Sequence, residues 1–164
     1  MTTNGKNRQG FKKENFFVSS DRKLLQIGRM HKFLSTQAYW SLGIPRSLVK
    51  KAAQASLCFG VYHKAGKDTV QVGYARLVTD GCTFAWLCDV YIEPEFRGLG
   101  LAKTLMSAVM AHPSSRGLRR ICLATKDAHS LYKQFGFEIT ANPGSWMEIK
   151  NNDIYLKRVK QKAQ

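Results

Sequence analysis

The stretch that most constrains this chain is EFRGLGLAKTL, residues 95–105, where Arg97 is followed by Gly98 and Gly100 directly ahead of an apolar run with helical spacing. The segment before it, CTFAWLCDVYI, has strand character, so strand, glycine loop and helix must follow one another here. Glycine accepts unusual φ and lets the backbone approach a ligand closely. A helix N-terminus adds unpaired N–H groups and the positive end of the helix dipole. The combination suits an anion, and a phosphate first. Two phosphate loops are excluded by counting. A P-loop built on Lys103 and Thr104 needs glycine where the chain has Arg97 and Ala102. A dinucleotide fingerprint starting at Gly98 needs a third glycine where Lys103 stands, and no parallel βαβ unit with an acidic ribose partner follows.

Around this loop the pattern alternates in type. NFFVSS reads as a strand, and Ser19, Ser20 and Asp21 offer N-caps for a helix carrying Leu24, Ile27, Met30, His31 and Leu34. Gly43 and Pro45 break that helix, and a second runs from Pro45 through KKAAQAS, the two being joined by an aromatic loop. SLCFGVY and VQVGYARLV are strands with a turn at Gly66-Lys67-Asp68. Asp80-Gly81 predicts an antiparallel hairpin into CTFAWLCDVYI. The helix LAKTLMSAVMAH, with an apolar face of Leu101, Leu105, Ala108 and Val109, is closed by Pro113. RRICLAT is a strand, Asp127 is a cap for a helix through Gln134 ended by Gly136, and short strands follow around GFEIT and WMEIKN. The order is β-α-α-β-β-β-α-β-α-β-β, an α/β chain with a mixed (α+β) sheet whose antiparallel meander passes into a βαβ crossover.

Length, charge and cysteines narrow the class. At 164 residues with 44% hydrophobic residues, the chain fits a single domain, residues 1–164, with a core over about 14–149. No apolar run nears the roughly 20 residues needed to span a bilayer, and the N-terminus lacks a signal-peptide segment, so the expectation is a soluble, cytoplasmic protein without a membrane partner. Cys58, Cys82, Cys88 and Cys122 lack CxxC spacing and read as reduced core residues; with His31, His63, His112 and His129 scattered, no metal site is expected. The net charge of +15 would ordinarily suggest a polyanion, yet residues 1–13 and 150–164 hold +8 of it. Basic ends of this kind are commonly solvated tails, which argues against nucleic acid as partner. The basic body suits a polyphosphate-bearing small cofactor.

VYIEPEFRGLGLAKTLM resembles the acetyl-CoA signature of the GNAT superfamily of N-acetyltransferases, with Arg97, Gly100 and Ala102 on its fixed positions. AHSLYKQFGF, residues 128–137, resembles a second segment of that family at its usual distance. The resemblance implies a GNAT-like acyl-CoA N-acyltransferase fold and an enzyme using acetyl-CoA. In it, backbone N–H groups of Arg97, Gly98, Leu99, Gly100, Leu101, Ala102 and Lys103 wrap the pyrophosphate. It further implies a strand that splays from its neighbour, placing Val90, Tyr91 and Ile92 along the pantetheine arm. Ordinary core strand is the plain alternative for Val90 and Ile92, and the two readings are compatible.

Acyl transfer from a thioester to an amine requires a neutral amine, a stabilised tetrahedral oxyanion and a proton for the departing thiolate. An alkylammonium titrates near pH 10, so at neutral pH a base or a water chain must take its proton. A free N–H of the splayed strand serves the oxyanion. By the resemblance, Tyr132 is the acid for the thiolate; the alternative is an aromatic packed beside Phe135 and Phe137. Asp89 is the candidate base, directly or through water, the alternative being a structural partner for an arginine. His129, three residues before Tyr132, is a candidate to orient it or shuttle protons, or else a surface or capping residue. The family often has asparagine at Asp127, so a cofactor contact there is replaced by a cap. Cys88 and Cys122 raise a covalent acyl-enzyme, but neither has an evident adjacent base, so direct transfer is expected. Tyr39 and Trp40 on the aromatic loop and Trp86 on the hairpin are candidates to line the acceptor pocket, expected between the first two helices and the open sheet. The acceptor is a primary amine, of a small molecule in the first reading and of a peptide or protein in the second. A non-catalytic acetyl-CoA sensor is the alternative outside the enzyme class. Related folds allow a homodimer, though no segment declares an interface.

Overall fold

Largely apolar runs in residues 57–65, 68–79 and 84–92, two of them buried on both faces at their centres, build the middle of a five-stranded sheet, and short strands complete both of its edges. The structure is a computed structural model and describes residues 13–156, so most of the two basic ends lies outside it. Its residues group into two compact units, one formed by residues up to 26 with 56–123, the other by 27–55 with residues from 124 onward.

The first unit holds β1 (Phe16–Ser19), β2 (Leu57–Ala65), β3 (Asp68–Thr79), β4 (Phe84–Ile92), α3 (Leu101–Ala111) and β5 (Arg120–Cys122). Strands β1 to β4 are antiparallel neighbours, and β5 joins β4 in parallel. The β3–β4 hairpin is fixed by Asp80, whose Oδ1 accepts N–H bonds from Cys82, Thr83 and Phe84 and whose Oδ2 accepts the Thr83 hydroxyl. These bonds hold its carboxyl far below the usual range. α3 lies against β1, β2 and β4 and buries Leu101, Leu105, Met106 and Val109. Phe59 meets His112, at the end of α3, edge to face at 5.5 Å. By strand alternation the α3 side therefore carries Phe59, Ala75, Leu77 and Leu87, each at most 2% exposed. The other side carries a row across three strands, Cys58 opposite Arg76 opposite Cys88.

The second unit contains α1 (Ile27–Thr36), α2 (Arg46–Gln54) and α4 (His129–Lys133). α1 and α2 pack together, burying Met30, Phe33 and Leu34 with Val49 and Ala53. The loop between them is tied to α1 by the Ser41 hydroxyl donating to the Leu34 carbonyl (2.8 Å), Gly43 N–H to Ser35 (2.9 Å) and a bond between His31 Nε2 and the Ile44 carbonyl (3.1 Å).

Four expectations need correction. Asp21 caps only a single 3₁₀ turn, Arg22–Leu24, and α1 begins at Ile27. Gln26 is the reason: its N–H donates to Gln71 Oε1, its side-chain amide donates to the Thr69 carbonyl, and its Oε1 accepts Gln71 N–H, so its polar groups are committed to β3. Asp127 does not cap α4. Ala128 holds that position, and the Thr125 hydroxyl accepts the Ala128 N–H at 3.0 Å. The strands expected around GFEIT and WMEIKN are irregular chain, and among the described residues the sheet ends at β5. Beyond Phe137 their alternation buries little, since Ile139, Met147 and Ile149 are exposed, and a strand without a buried face gains little from pairing. Cys82 is no core residue but lies exposed in the β3–β4 turn.

Candidate active site

The site is built where β4 leaves β5. The two strands pair only at Phe84–Arg120, Ala85–Ile121 and Trp86–Cys122, while the pairing of β4 with β3 continues to Ile92. From residue 87 onward, the side of β4 that faced β5 has no strand partner among the described residues. This side of β4 is therefore a sheet edge, along which an extended ligand fits.

The chain then turns through Pro94–Phe96, anchored by Phe96, which is 8% exposed and packs near Phe16 (5.9 Å) and His63 (5.8 Å). Glu93 N–H donates to the Val72 carbonyl at 2.8 Å. Beyond this anchor Gly98 (φ 79°) and Gly100 (φ 76°) adopt left-handed conformations that a side chain would strain. Gly100 is the N-cap of α3 and supplies no side-chain cap, so the first-turn N–H groups keep the dipole's positive end open to an anion. Leu99 is half-buried and Leu101 buried, whereas Lys103 is exposed, so of these three Lys103 puts charge beside the cradle. Arg97 folds back, its Nε donating to the Ile92 carbonyl at 2.9 Å, and so braces the loop against the end of β4. Val90 is half-buried, and Tyr91 and Ile92 are buried, so these side chains serve the core while their backbone lies on the open edge.

A bulge interrupts β4 just before that edge. Arg76 pairs with Cys88 and Tyr74 with Tyr91, leaving Asp89 and Val90 opposite Ala75 alone. The extra residue resets the alternation, so that Cys88 and Tyr91, three apart, share a side. Asp89 has φ 54°, the one positive φ outside glycine among the described residues. Its Oδ2 accepts Arg76 Nε at 2.5 Å, and Arg76 Nη1 donates to the Ser56 hydroxyl at 3.3 Å. Asp89 thus has the arginine partner that was its plain alternative. Arg76 and Ser56 escaped sequence reasoning, although a guanidinium inside the strand run VQVGYARLV was the available signal.

In the second unit Tyr132 is 8% exposed, and its ring meets Phe137 edge to face at 5.9 Å. Burial first, then the negative charges of Asp127 and an ionised Tyr39, push its phenol up to about 12. His129, at the first position of α4, is exposed. Tyr39 and Trp40 are 55% and 44% exposed and pair edge to face at 5.0 Å, with Lys126 Nζ 5.9 Å from the Tyr39 ring centre. Trp86 belongs to β4, half-buried between Val78 and Cys122. Burial pushes the Cys88 thiol up to about 12 and raises that of Cys122, which disfavours the thiolate that a covalent acyl-enzyme requires.

Residues 29–137 match the acetyltransferase (GNAT) family. A candidate acetyltransferase of that family from Xanthomonas campestris pv. campestris has a crystal structure that superposes with TM-score 0.80 at 46% identity, over 85% of this chain and 96% of that one. A candidate acetyltransferase from Gibberella zeae is 34% identical over 143 residues, 76% of this chain and 79% of its own. A candidate acetyltransferase from Clostridium acetobutylicum, in a structure with acetyl-CoA, shares the fold at TM-score 0.57 and 18% identity, covering 83% of this chain and 95% of that one. The chain belongs to the GNAT acetyltransferase family and is an acyltransferase with its α/β fold.

Proposed function

We propose that this acetyltransferase moves the acetyl group of acetyl-CoA directly to a primary amine of a small molecule. The observation that carries the reading is the open edge of β4 leading into two left-handed glycines at the uncapped start of α3. An extended amide-bearing arm fits the first, and a pyrophosphate fits the second. Acetyl-CoA supplies the thioester. Backbone N–H groups among residues 87–92 stabilise the oxyanion, and Tyr132 donates to the departing sulfur. Asp89 takes the ammonium proton through water, with His129 as an auxiliary proton carrier. The exposed Tyr39–Trp40 pair is the proposed apolar lining for a compact acceptor, with Trp86 a further lining residue. Four free thiols suit the reducing cytoplasm.

Thermal unfolding with and without acetyl-CoA tests the reading. Ligand at about 100 times its dissociation constant stabilises the native state by about 2.7 kcal/mol. A clear upward shift that Arg97→Glu weakens is the expected result; no shift at millimolar acetyl-CoA would sink the assignment.

A further inference from the structure

We propose that Arg76 is a positioning residue for acetyl transfer, holding the Asp89 carboxylate at the β4 bulge where the strand becomes an open edge. The inference rests on the reading of Asp89 as the proton acceptor, and adds to it a residue on a different strand. Asp89 sits in a left-handed conformation that is strained for an L-residue, so something in the fold must hold it there. Aspartate tolerates the left-handed region better than most residues, but tolerance does not fix where its side chain points. Arg76 does fix it. The side chains are only 21% and 13% exposed, so their bond is shielded from water and the geometry is tighter than in a surface pair.

Arg76 is itself held. Its Nη1 donates to the Ser56 hydroxyl, and the Ser56 carbonyl accepts Arg22 Nη2 at 2.7 Å. Cys58 and Cys88 flank it in register on the two neighbouring strands, and Cys58 Sγ lies 3.0 Å from the Tyr74 hydroxyl. The guanidinium therefore spans from Ser56, just before β2, to the bulge of β4. A lysine ammonium, a single point charge, cannot hold both partners in that way. A carboxylate displaced by about 1 Å at a reacting centre is enough to lose on the order of 100-fold in rate.

Steady-state kinetics of Arg76→Met, Asp89→Asn and the double variant test this, alongside acetyl-CoA thermal shifts. Wild type must first show the acetyl-CoA shift and amine-dependent thiol release; if it does not, the proposed function fails, and that failure is distinct from a failure of Arg76. Given both, Arg76→Met should lower kcat about 10- to 100-fold, leaving the KM for acetyl-CoA and the thermal shift as in wild type. The double variant should be no slower than Asp89→Asn alone, because Arg76 acts through Asp89. Unchanged kcat in Arg76→Met, a lost acetyl-CoA shift, or losses that multiply in the double variant would each overturn the proposal. If Arg76→Met does not fold, Arg76→Lys decides: a several-fold drop in kcat with an intact acetyl-CoA shift supports the assignment, and wild-type kcat refutes it.

Discussion

A phenol pushed up to about 12 keeps its proton throughout the neutral range, which is what the donor role proposed for Tyr132 requires. Free thiols titrate near 8.5, so complete transfer from this phenol runs uphill, and the contribution proposed for it is a hydrogen bond that strengthens as charge builds on sulfur. Tyr132→Phe should therefore lower kcat about 100-fold with little change in the KM for acetyl-CoA. Rates measured from pH 7 to 10 should show no loss attributable to Tyr132, since its ionisation lies higher. An equal kcat in the phenylalanine variant would return Tyr132 to its packing role against Phe137. The thiols make a second test at this scale. With Cys88 held up at about 12 by burial and Cys82 exposed, iodoacetamide should label Cys82 first. Cys88→Ser should retain acetyl transfer, whereas abolished turnover in a folded variant would reopen the covalent route.

At the scale of elements, the phosphate cradle proposed for the loop before α3 requires that loop to be held still, and its anchor is an aromatic side chain rather than a glycine. Phe96 is buried near Phe16 and His63. Phe96→Ala should cost about 3 kcal/mol in urea unfolding and shrink the acetyl-CoA thermal shift beyond what lost stability explains; an unaltered shift would mean that the glycines and α3 suffice. The glycines were legible in sequence because their spacing ahead of an apolar helix is a local signal. So were β1 to β4, α2 and α3, each carried by its own period and punctuation. What local pattern could not supply was competition from distant partners. Gln26 spends its polar groups on β3, which delays α1. At the start of α4 the hydroxyl that takes the Ala128 N–H belongs to Thr125, two residues before Asp127, a choice the residue types alone do not make. The alternation in WMEIKN is strand-like but finds no face to bury. The bulge at Asp89 was hidden for the same reason, since a single extra residue is visible only in the register between two strands, and Arg76 shows its meaning only once that register places it opposite Cys88, one residue from the bulge.

For the whole molecule, the buried phenols and thiols set an alkaline limit on stability. Burial raises Tyr62, Tyr132 and Cys88 to about 12, and raises Tyr74, Cys58 and Cys122 as well. Above the ordinary value of such a group, the unfolded chain has already released a proton that the fold retains. The unfolded state then binds fewer protons, and the stability falls as pH rises. The contribution is intact below about pH 9 for thiols and about pH 10 for phenols, and is lost progressively toward about 12. Tyr62 isolates one share of this. It is fully buried, its ring stacks with Phe17 at 5.2 Å, and its hydroxyl has no hydrogen-bond partner among the described residues. A rise from about 10 to about 12 corresponds to roughly 2–3 kcal/mol for that one group. Because an unpartnered buried hydroxyl costs about 1 kcal/mol or more, Tyr62→Phe should be more stable than wild type at pH 7. It should also lose stability less steeply between pH 10 and 12. Urea unfolding at pH 7, 9, 10 and 11 measures both effects. A variant less stable at pH 7 would mean that the hydroxyl has a partner, and parallel alkaline slopes would mean that its burial does not set the limit.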